Sequence, residues 1–156
     1  MSFYQLIRSQ KVNASRGAAW EFIASPKNLK EITPDYMGFD ITSNGLPEKI
    51  YAGMIITYEV SPLLGIKVDW VTEITHVFDG CYFVDEQRVG PYKMWHHQHF
   101  LEEVSGGVLM KDIVTYQLPF GLLGDLMDRW VIQPKLNEIF DYRRHAIEAI
   151  FGHSRG

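Results

Sequence analysis

Residues 122–151 of the chain read LLGDLMDRWVIQPKLNEIFDYRRHAIEAIF. Apolar side chains recur in this stretch every three or four positions, and charged side chains occupy many of the positions between them. This spacing predicts one long amphipathic helix with a buried face. At the usual rise it would span about 45 Å, enough to cross a whole sheet. Because Pro134 lacks a backbone donor, we expect a kink between Trp130 and Gln133, or two helices that meet there.

The composition is that of one folded domain, which we place at residues 1–156. Hydrophobic residues make up 46% of the chain and aromatic residues 13%, which argues against disorder. No apolar run approaches the length of a membrane span and we recognise no secretory signal, so we expect no stable membrane insertion. The single cysteine, Cys81, agrees with a reducing cytoplasm. With a net charge of −4 and no basic cluster larger than residues 143–144, we do not expect nucleic acid as a partner.

The first third of the chain predicts a strand and two short helices. Residues 3–12 alternate loosely between apolar and polar, as a strand does. A short helix comes next, which Asn13 or Ser15 can cap and which Ser25 should end, and Pro26 suits the first turn of a second one. Residues 37–42 favour another strand.

The middle of the chain predicts a meander of strands. Five β-rich runs follow one another with short turns between them: 54–60, 66–77, 81–89, 93–104 and 108–118. Short turns between consecutive strands indicate antiparallel hairpins, since parallel pairs need long crossovers.

Together these elements predict an α+β fold in which a curved antiparallel sheet of six to seven strands wraps the long C-terminal helix. The two short helices after the first strand would close one end. One helix cannot cover the concave face of so large a sheet. We therefore expect a cavity between them, and such cavities hold small, largely apolar ligands.

Three motifs carry a family resemblance. They are Gln87-x-x-Gly90-Pro91-Tyr92-x-x-Trp95-x-His97-x-His99-Phe100, then Asp112-x-x-x-Tyr116-x-Leu118-Pro119-Phe120-Gly121, and finally Phe140-x-Tyr142-Arg143. With the order of elements, they resemble the START/Bet v1-like (SRPBCC) superfamily, in its bacterial polyketide cyclase/dehydrase-like branch. The resemblance covers the whole chain and implies the helix-grip fold. It does not fix a function, because the superfamily includes carriers, receptors and cyclases. The ring-hydroxylase branch is excluded, since Cys81 alone cannot hold a Rieske cluster.

Polar residues concentrate in the run 93–100. Side chains alternate along a strand, so Trp95, His97 and His99 share one face and His96 lies on the other. The next hairpin decides what lies opposite. A loop of two or four residues sets these pairs: Trp95 with Tyr116, His97 with Val114, and His99 with Asp112. A three-residue loop would break them. We prefer the first register because aromatic pairs and histidine–carboxylate pairs are favourable across strands.

These residues form our predicted ligand site. Its members are Trp95, His97, His99, Asp112, Tyr116 and Trp130. Trp130 is included because it precedes Pro134, where a kinked helix could open onto the cavity. The plainer interpretation is that His99 and Asp112 only satisfy one another, and that the tryptophans, including Trp20 and Trp70, pack the core. We interpret residues 143–144 as a solvated part of the helix, and residues 61–65 as either an ordinary loop or a gate like that of related receptors.

We predict no cofactor and no metal ion. An HxH pair on a strand points two imidazoles the same way, as a metal site requires, but no third ligand is evident at a useful spacing. The preferred function is binding of a small apolar, aromatic or lipid-like molecule. The alternative is a cyclase or dehydratase in which His97 or His99 moves a proton with Asp112. A third possibility is an interaction domain with a vestigial cavity, which would carry an exposed apolar patch.

Overall fold

The computed structural model describes residues 2–62 and 65–152. Within them the chain forms one antiparallel sheet and a long C-terminal helical segment. The strands are β1 (Tyr4–Val12), β2 (Asp40–Ile41), β3 (Ile55–Val60), β4 (Val68–Phe78), β5 (Tyr82–Val89), β6 (Met94–Val104) and β7 (Gly107–Gln117). The helices are α1 (Arg16–Ile23), α2 (Leu122–Met127) and α3 (Gln133–Phe151), with 3₁₀ helices at Pro26–Ile32 and Asp35–Met37 and a π-helical turn at Asp128–Ile132.

The described strands form a seven-stranded sheet in the order β1-β7-β6-β5-β4-β3-β2, and every neighbouring pair is antiparallel. The predicted fold class is therefore confirmed. β2 is shorter than expected, because Asp35–Met37 forms a 3₁₀ turn and Gly38 then takes a left-handed conformation with φ of 53°. That conformation suits glycine and interrupts an extended run.

The hairpin between β6 and β7 has the preferred register. Val104 pairs with Gly107, which leaves a two-residue turn in which Gly106 has φ of 77°. A positive φ at this place is what a tight hairpin demands and what glycine supplies. As a result, Trp95 lies opposite Tyr116 and the other two predicted pairs also form.

The two short helices close one end of the sheet. Ser15 caps α1 by accepting a hydrogen bond from the Ala18 amide at 3.1 Å, which satisfies one of the free donors of the first turn. Ala19 and Trp20 are buried on the inner side of α1. Pro26 then begins the second helix, as predicted, although that helix is of the 3₁₀ type.

The C-terminal segment has the predicted break just before Pro134, where two helices meet, but it does not have the predicted continuous buried face. α3 buries Leu136, Phe140 and Ile147, but the preceding turns leave Leu122 88% exposed and Leu126 60% exposed. The π-helical turn explains the difference. Gln133 donates its amide hydrogen to the Asp128 carbonyl five residues earlier, which adds a residue to the turn just before Pro134. The added residue rotates α3 by about 100° relative to α2, so the apolar stripe is continuous in sequence but not in space.

Buried apolar side chains form two groups beneath the sheet. The larger lies under α1 and the end of α3, and the smaller joins Val114 and Tyr116 of β7 to Leu136 and Phe140 of α3. Each large side chain buried in this way contributes about 1.5–3 kcal/mol. Side chains of α3 belong to both groups, so α3 packs across the concave face of the sheet. None of the described helices combines the length and the hydropathy needed to cross a membrane.

Candidate functional site

A cavity of about 360 Å³ lies between the concave face of the sheet and α3. Its wall includes Ile56 and Tyr58 from β3, Trp70 from β4, Trp95 from β6 and Phe140 from α3. The lining is mostly apolar, as the fold prediction required. The volume is within the range typical of sites for small organic molecules.

An aromatic corner forms part of the wall. The rings of Trp70 and Trp95 meet edge to face with centroids 5.5 Å apart, and Tyr92 lies 4.7 Å from Trp95. Gln87 holds Tyr92 in place, because its side-chain amide donates to the Tyr92 carbonyl at 2.7 Å and accepts from the Tyr92 amide at 3.1 Å. The Gln-x-x-Gly-Pro-Tyr motif thus positions a ring in the cavity wall.

Thr72 organises a second part of the wall. Its side chain is buried, and its hydroxyl group accepts a hydrogen bond from Trp70 Nε1 at 3.1 Å and is bonded to the Tyr58 hydroxyl group. Burial raises the pKa of Tyr58 well above its usual value, so the phenol is neutral. One threonine therefore fixes two of the rings that line the cavity.

A polar cluster interrupts the apolar lining. The β6–β7 register places His99 opposite Asp112, and the β5–β6 register places Asp85 opposite His97. Asp112 Oδ1 lies 2.9 Å from His97 Nε2 and 3.0 Å from His99 Nδ1, and Asp85 Oδ2 lies 2.6 Å from His99 Nε2. The two imidazole rings have centroids 3.7 Å apart. Two histidines in close ring contact, tilted by 34°, are thus held between two carboxylates.

The two histidines titrate in opposite directions. Burial opposes a charge on His99, but hydrogen bonds to Asp112 and Asp85 outweigh it and raise the pKa of His99. Burial, reinforced by the charge of His99, lowers the pKa of His97. Burial also disfavours the charge on Asp112, yet its hydrogen bonds to both histidines hold the pKa of that carboxyl group well below its usual range. The cluster can therefore present a cationic and a neutral imidazole side by side.

Arg143 completes the cluster from α3. Its side chain is only 13% exposed, stacks on Phe140 at 4.7 Å, and places Nη1 3.9 Å from Asp112 Oδ1. Its Nε is buried with no hydrogen-bond partner among the described residues. The prediction that residues 143–144 are both solvated is wrong for Arg143, which lies three positions after Phe140 and so shares the buried stripe. Arg144 is exposed, and it donates to the Ser9 carbonyl at 2.8 Å.

Four of the six predicted site residues line the cavity, namely Trp95, His97, His99 and Asp112. Tyr116 does not. It is 1% exposed and donates to Asp128 Oδ1 at 2.6 Å, so it joins β7 to the π-helical turn. Trp130 does not line the cavity either, and at 69% exposure it does not pack in the core. The π-helical turn directs it outward.

Asp85 and Arg143 were missed by sequence reasoning. Asp85 lies two positions after Phe83 on β5, and this periodicity places both side chains on one face of the strand. Phe83 is buried, so an acidic residue on the same face of the strand was a signal that the sequence offered.

Pro62, in the loop suggested as a gate, lines the cavity. Leu63 and Leu64 lie outside the described residues, and the gate hypothesis stays a prediction.

Comparison with known proteins establishes the fold. No protein-family model matches the chain, and no curated protein matches it. Among solved structures, protein Ms6760 from Mycobacterium smegmatis is 18% identical, with a TM-score of 0.66 over 94% of this chain and 89% of that one. Ara h 8.0201, a Bet v1 allergen, is 16% identical, with a TM-score of 0.60 over 95% and 99% of the two chains. The major latex-like protein 151 from Panax ginseng is 12% identical, with a TM-score of 0.66 over 96% and 97%.

Identities this low show a shared fold and leave function to the site. The narrower resemblance to the polyketide cyclase/dehydrase-like branch stays a prediction. The seven-stranded antiparallel sheet and the long C-terminal helical segment are consistent with the Bet v1 helix-grip fold. The chain has the Bet v1-like helix-grip fold.

Proposed function

We propose that the protein binds a small, largely apolar molecule, aromatic or lipid-like, in the cavity between the sheet and α3. The observation that carries the proposal is an open space of about 360 Å³ with a mostly apolar lining, in which Asp85, His97, His99 and Asp112 form a polar cluster. Burial of the ligand's apolar surface supplies the affinity, at roughly 25 cal/mol per Å². The polar cluster fixes the orientation of one polar group on the ligand.

The aromatic wall favours a flat or ring-containing ligand. Trp70 and Trp95 both line the cavity, their rings contact each other, and Trp70 also donates a hydrogen bond to Thr72. Rings prefer offset or edge-to-face contact with other rings, and each such contact adds about 0.5–1.5 kcal/mol beyond burial. A wall that is already ordered also reduces the entropy lost on binding.

An enzyme of cyclase or dehydratase type is the second candidate. The observation in its favour is that His97 and His99 both line the cavity in contact with Asp112. His97 is the better proton acceptor, because its lowered pKa leaves it neutral near pH 7. Binding without chemistry ranks first, since it needs only the cavity. Recovery of an added ligand with both its mass and its chromatographic retention unchanged separates the two, because a cyclisation can alter the structure without altering the mass.

Blocking the cavity tests the binding proposal. We expect the neutral probe N-phenyl-1-naphthylamine to bind the wild type with increased fluorescence. Ile56→Trp should weaken that binding at least tenfold, because Ile56 lines the cavity. The matched control is Ile55→Trp on the same strand, where the native side chain is 46% exposed. This variant should bind like the wild type.

Val60→Phe narrows the cavity at a second position in its wall. It serves as the test variant if Ile56→Trp does not fold. Far-ultraviolet circular dichroism and urea unfolding identify the folded variants. Equal affinity of wild type and both folded wall variants, or no probe binding by the wild type, would overturn the proposal.

A further inference from the structure

We propose that Asp85, His97 and His99 form a site for a divalent transition-metal ion, with Asp112 as the residue that orients both imidazoles. The site goes beyond the proposed binding function, because it adds a cation to the cavity wall and does not depend on any particular organic ligand. Three observations support it: the convergence of the donor atoms, the position of Asp112, and the direction in which the site opens.

The donor atoms converge. One ligand atom from each of Asp85, His97 and His99 lies within 4.8 Å of the others. On the side of Asp85, its Oδ2 is 2.6 Å from His99 Nε2 and 3.8 Å from His97 Nδ1. An ion with bonds of about 2.0–2.2 Å to nitrogen and oxygen separates its ligands by about 3.3 Å in tetrahedral geometry. To reach this spacing, the distance from Asp85 Oδ2 to His99 Nε2 must lengthen from 2.6 Å and that to His97 Nδ1 must shorten from 3.8 Å.

Asp112 contacts the opposite nitrogen of each ring. His97 Nε2 and His99 Nδ1 lie 2.9 and 3.0 Å from Asp112 Oδ1, which leaves His97 Nδ1 and His99 Nε2 on the side of Asp85. Histidines that bind metals almost always donate their other nitrogen to a carboxylate or carbonyl group, which fixes the tautomer and the ring orientation. Here one carboxylate does this for two histidines. If the only role of Asp112 were to form a hydrogen bond with His99, His97 would not need to contact the same carboxylate oxygen.

Arg143 compensates part of the charge. Asp85 and Asp112 together carry two negative charges, and Arg143 places a positive charge 3.9 Å from Asp112 Oδ1. A divalent ion would leave the site with one net positive charge. An oxygen anion from the solvent or from a cavity ligand would neutralise it.

The site opens onto the cavity. Asp85, His97 and His99 all line it, and three protein donors leave at least one coordination position for a further ligand. Two histidines with one carboxylate are a donor set used for Zn²⁺ with an open position and for Fe²⁺. A metal ion here would bind an oxygen atom of a molecule held in the apolar cavity. The chemical class favoured is thus a ligand with a hydroxyl, enol or carbonyl oxygen at one end.

Equilibrium dialysis of the chelator-treated protein against Zn²⁺ alone tests the site. We expect one Zn²⁺ per chain with a Kd of about 1 μM or lower, and Co²⁺ in its place should give visible absorption bands of a coordinated ion. Asp85→Asn and His97→Gln should each weaken binding at least 100-fold. Asp112→Asn should weaken it by about 10- to 100-fold, as expected for a residue that only orients the ligands.

His96→Ala is the matched control. His96 is on β6 next to His97 and pairs with Glu86 at 2.7 Å on the other face of the sheet, so its loss should leave Zn²⁺ binding unchanged. Circular dichroism establishes that each variant is folded, and the conservative exchanges Asp85→Asn and His97→Gln keep side-chain volume. Binding weaker than 100 μM by the wild type would overturn the proposal. An equal loss in His96→Ala would also overturn it, since the ion would then lie elsewhere.

Discussion

The Tyr116 hydroxyl group donates a hydrogen bond of 2.6 Å to Asp128 Oδ1, and both side chains are about 1% exposed. Asp128 begins the π-helical turn and also accepts a hydrogen bond from Gln133 at 2.8 Å. Tyr116 therefore ties the sheet to the one irregular turn of the C-terminal segment. This role replaces the ligand contact that the sequence suggested for it.

Tyr116→Phe should lower the free energy of unfolding by roughly 1.5–3 kcal/mol. The substitution keeps the ring packing but leaves a buried carboxylate with one partner fewer, and hydrogen bonds to charged groups are worth about that much. Urea unfolding measures the change. Tyr142→Phe is the control, because Tyr142 is a more exposed tyrosine on α3, and it should change stability by less than about 0.5 kcal/mol. Similar losses in the two variants would contradict the assigned role of Tyr116.

Thr72→Val should lower stability by about 1–3 kcal/mol and weaken probe binding several-fold. Valine has nearly the same shape as threonine but removes the hydroxyl group that accepts from Trp70 and is hydrogen-bonded to Tyr58 in the cavity wall. Thr115→Val removes a hydroxyl group that accepts from Gln5 at the surface, and it should have little effect on either quantity. Paired urea and fluorescence titrations measure both effects. Unchanged probe affinity in Thr72→Val would show that the wall does not need this acceptor.

Arg143→Met should destabilise the protein by roughly 1–3 kcal/mol, because Asp112 loses a compensating positive charge in a buried setting. The neighbouring change Arg144→Met removes an exposed contact and should cost less than about 0.5 kcal/mol. Thermal or urea unfolding distinguishes them. If the two substitutions cost the same, Arg143 does not belong to the polar cluster.

Trp95→Phe should reduce the ligand-dependent change in intrinsic fluorescence, with the remainder coming from Trp70 in the same wall, whereas Trp130→Phe should leave the change intact. Trp95 lines the cavity and Trp130 points into solvent, so only the first senses a bound molecule. A titration with an apolar quencher that fits the cavity measures both variants. Loss of the signal in Trp130→Phe would restore the prediction that this residue contacts the ligand.

The fold could be predicted because its signals are local. Short turns fixed the antiparallel order of the strands, and the two-residue turn before Gly107 fixed which residues of β6 and β7 lie opposite each other. The sequence left two registers open, and the preferred one, which places Asp112 opposite His99, is confirmed. The position of Asp85 was not predicted, because the β4–β5 pairing contains register shifts and the β5–β6 pairing ends at Glu86 and His96, before the turn is reached. The length of that turn therefore does not set the alignment of Asp85 with His97.

The C-terminal segment shows the limit of periodicity. Apolar residues recur through Trp130 at helical spacing, and nothing in that spacing reveals a π-helical turn, which shifts the phase by one residue. Arg143 was missed for a different reason. Its residue type alone does not show whether an arginine on the helix is buried or solvated. The contacts of Arg143 with Phe140 and Asp112 show that it is buried.

Native mass spectrometry of the protein purified from cells and then offered a panel of neutral aromatic and lipid-like compounds tests the central claim most directly. The account predicts a one-to-one complex that dissociates on collisional activation, for the wild type and for Ile55→Trp but not for Ile56→Trp. A wild-type chain that emerges bare and stays bare with every compound would contradict it, as would a complex that forms equally well when Ile56→Trp fills the cavity.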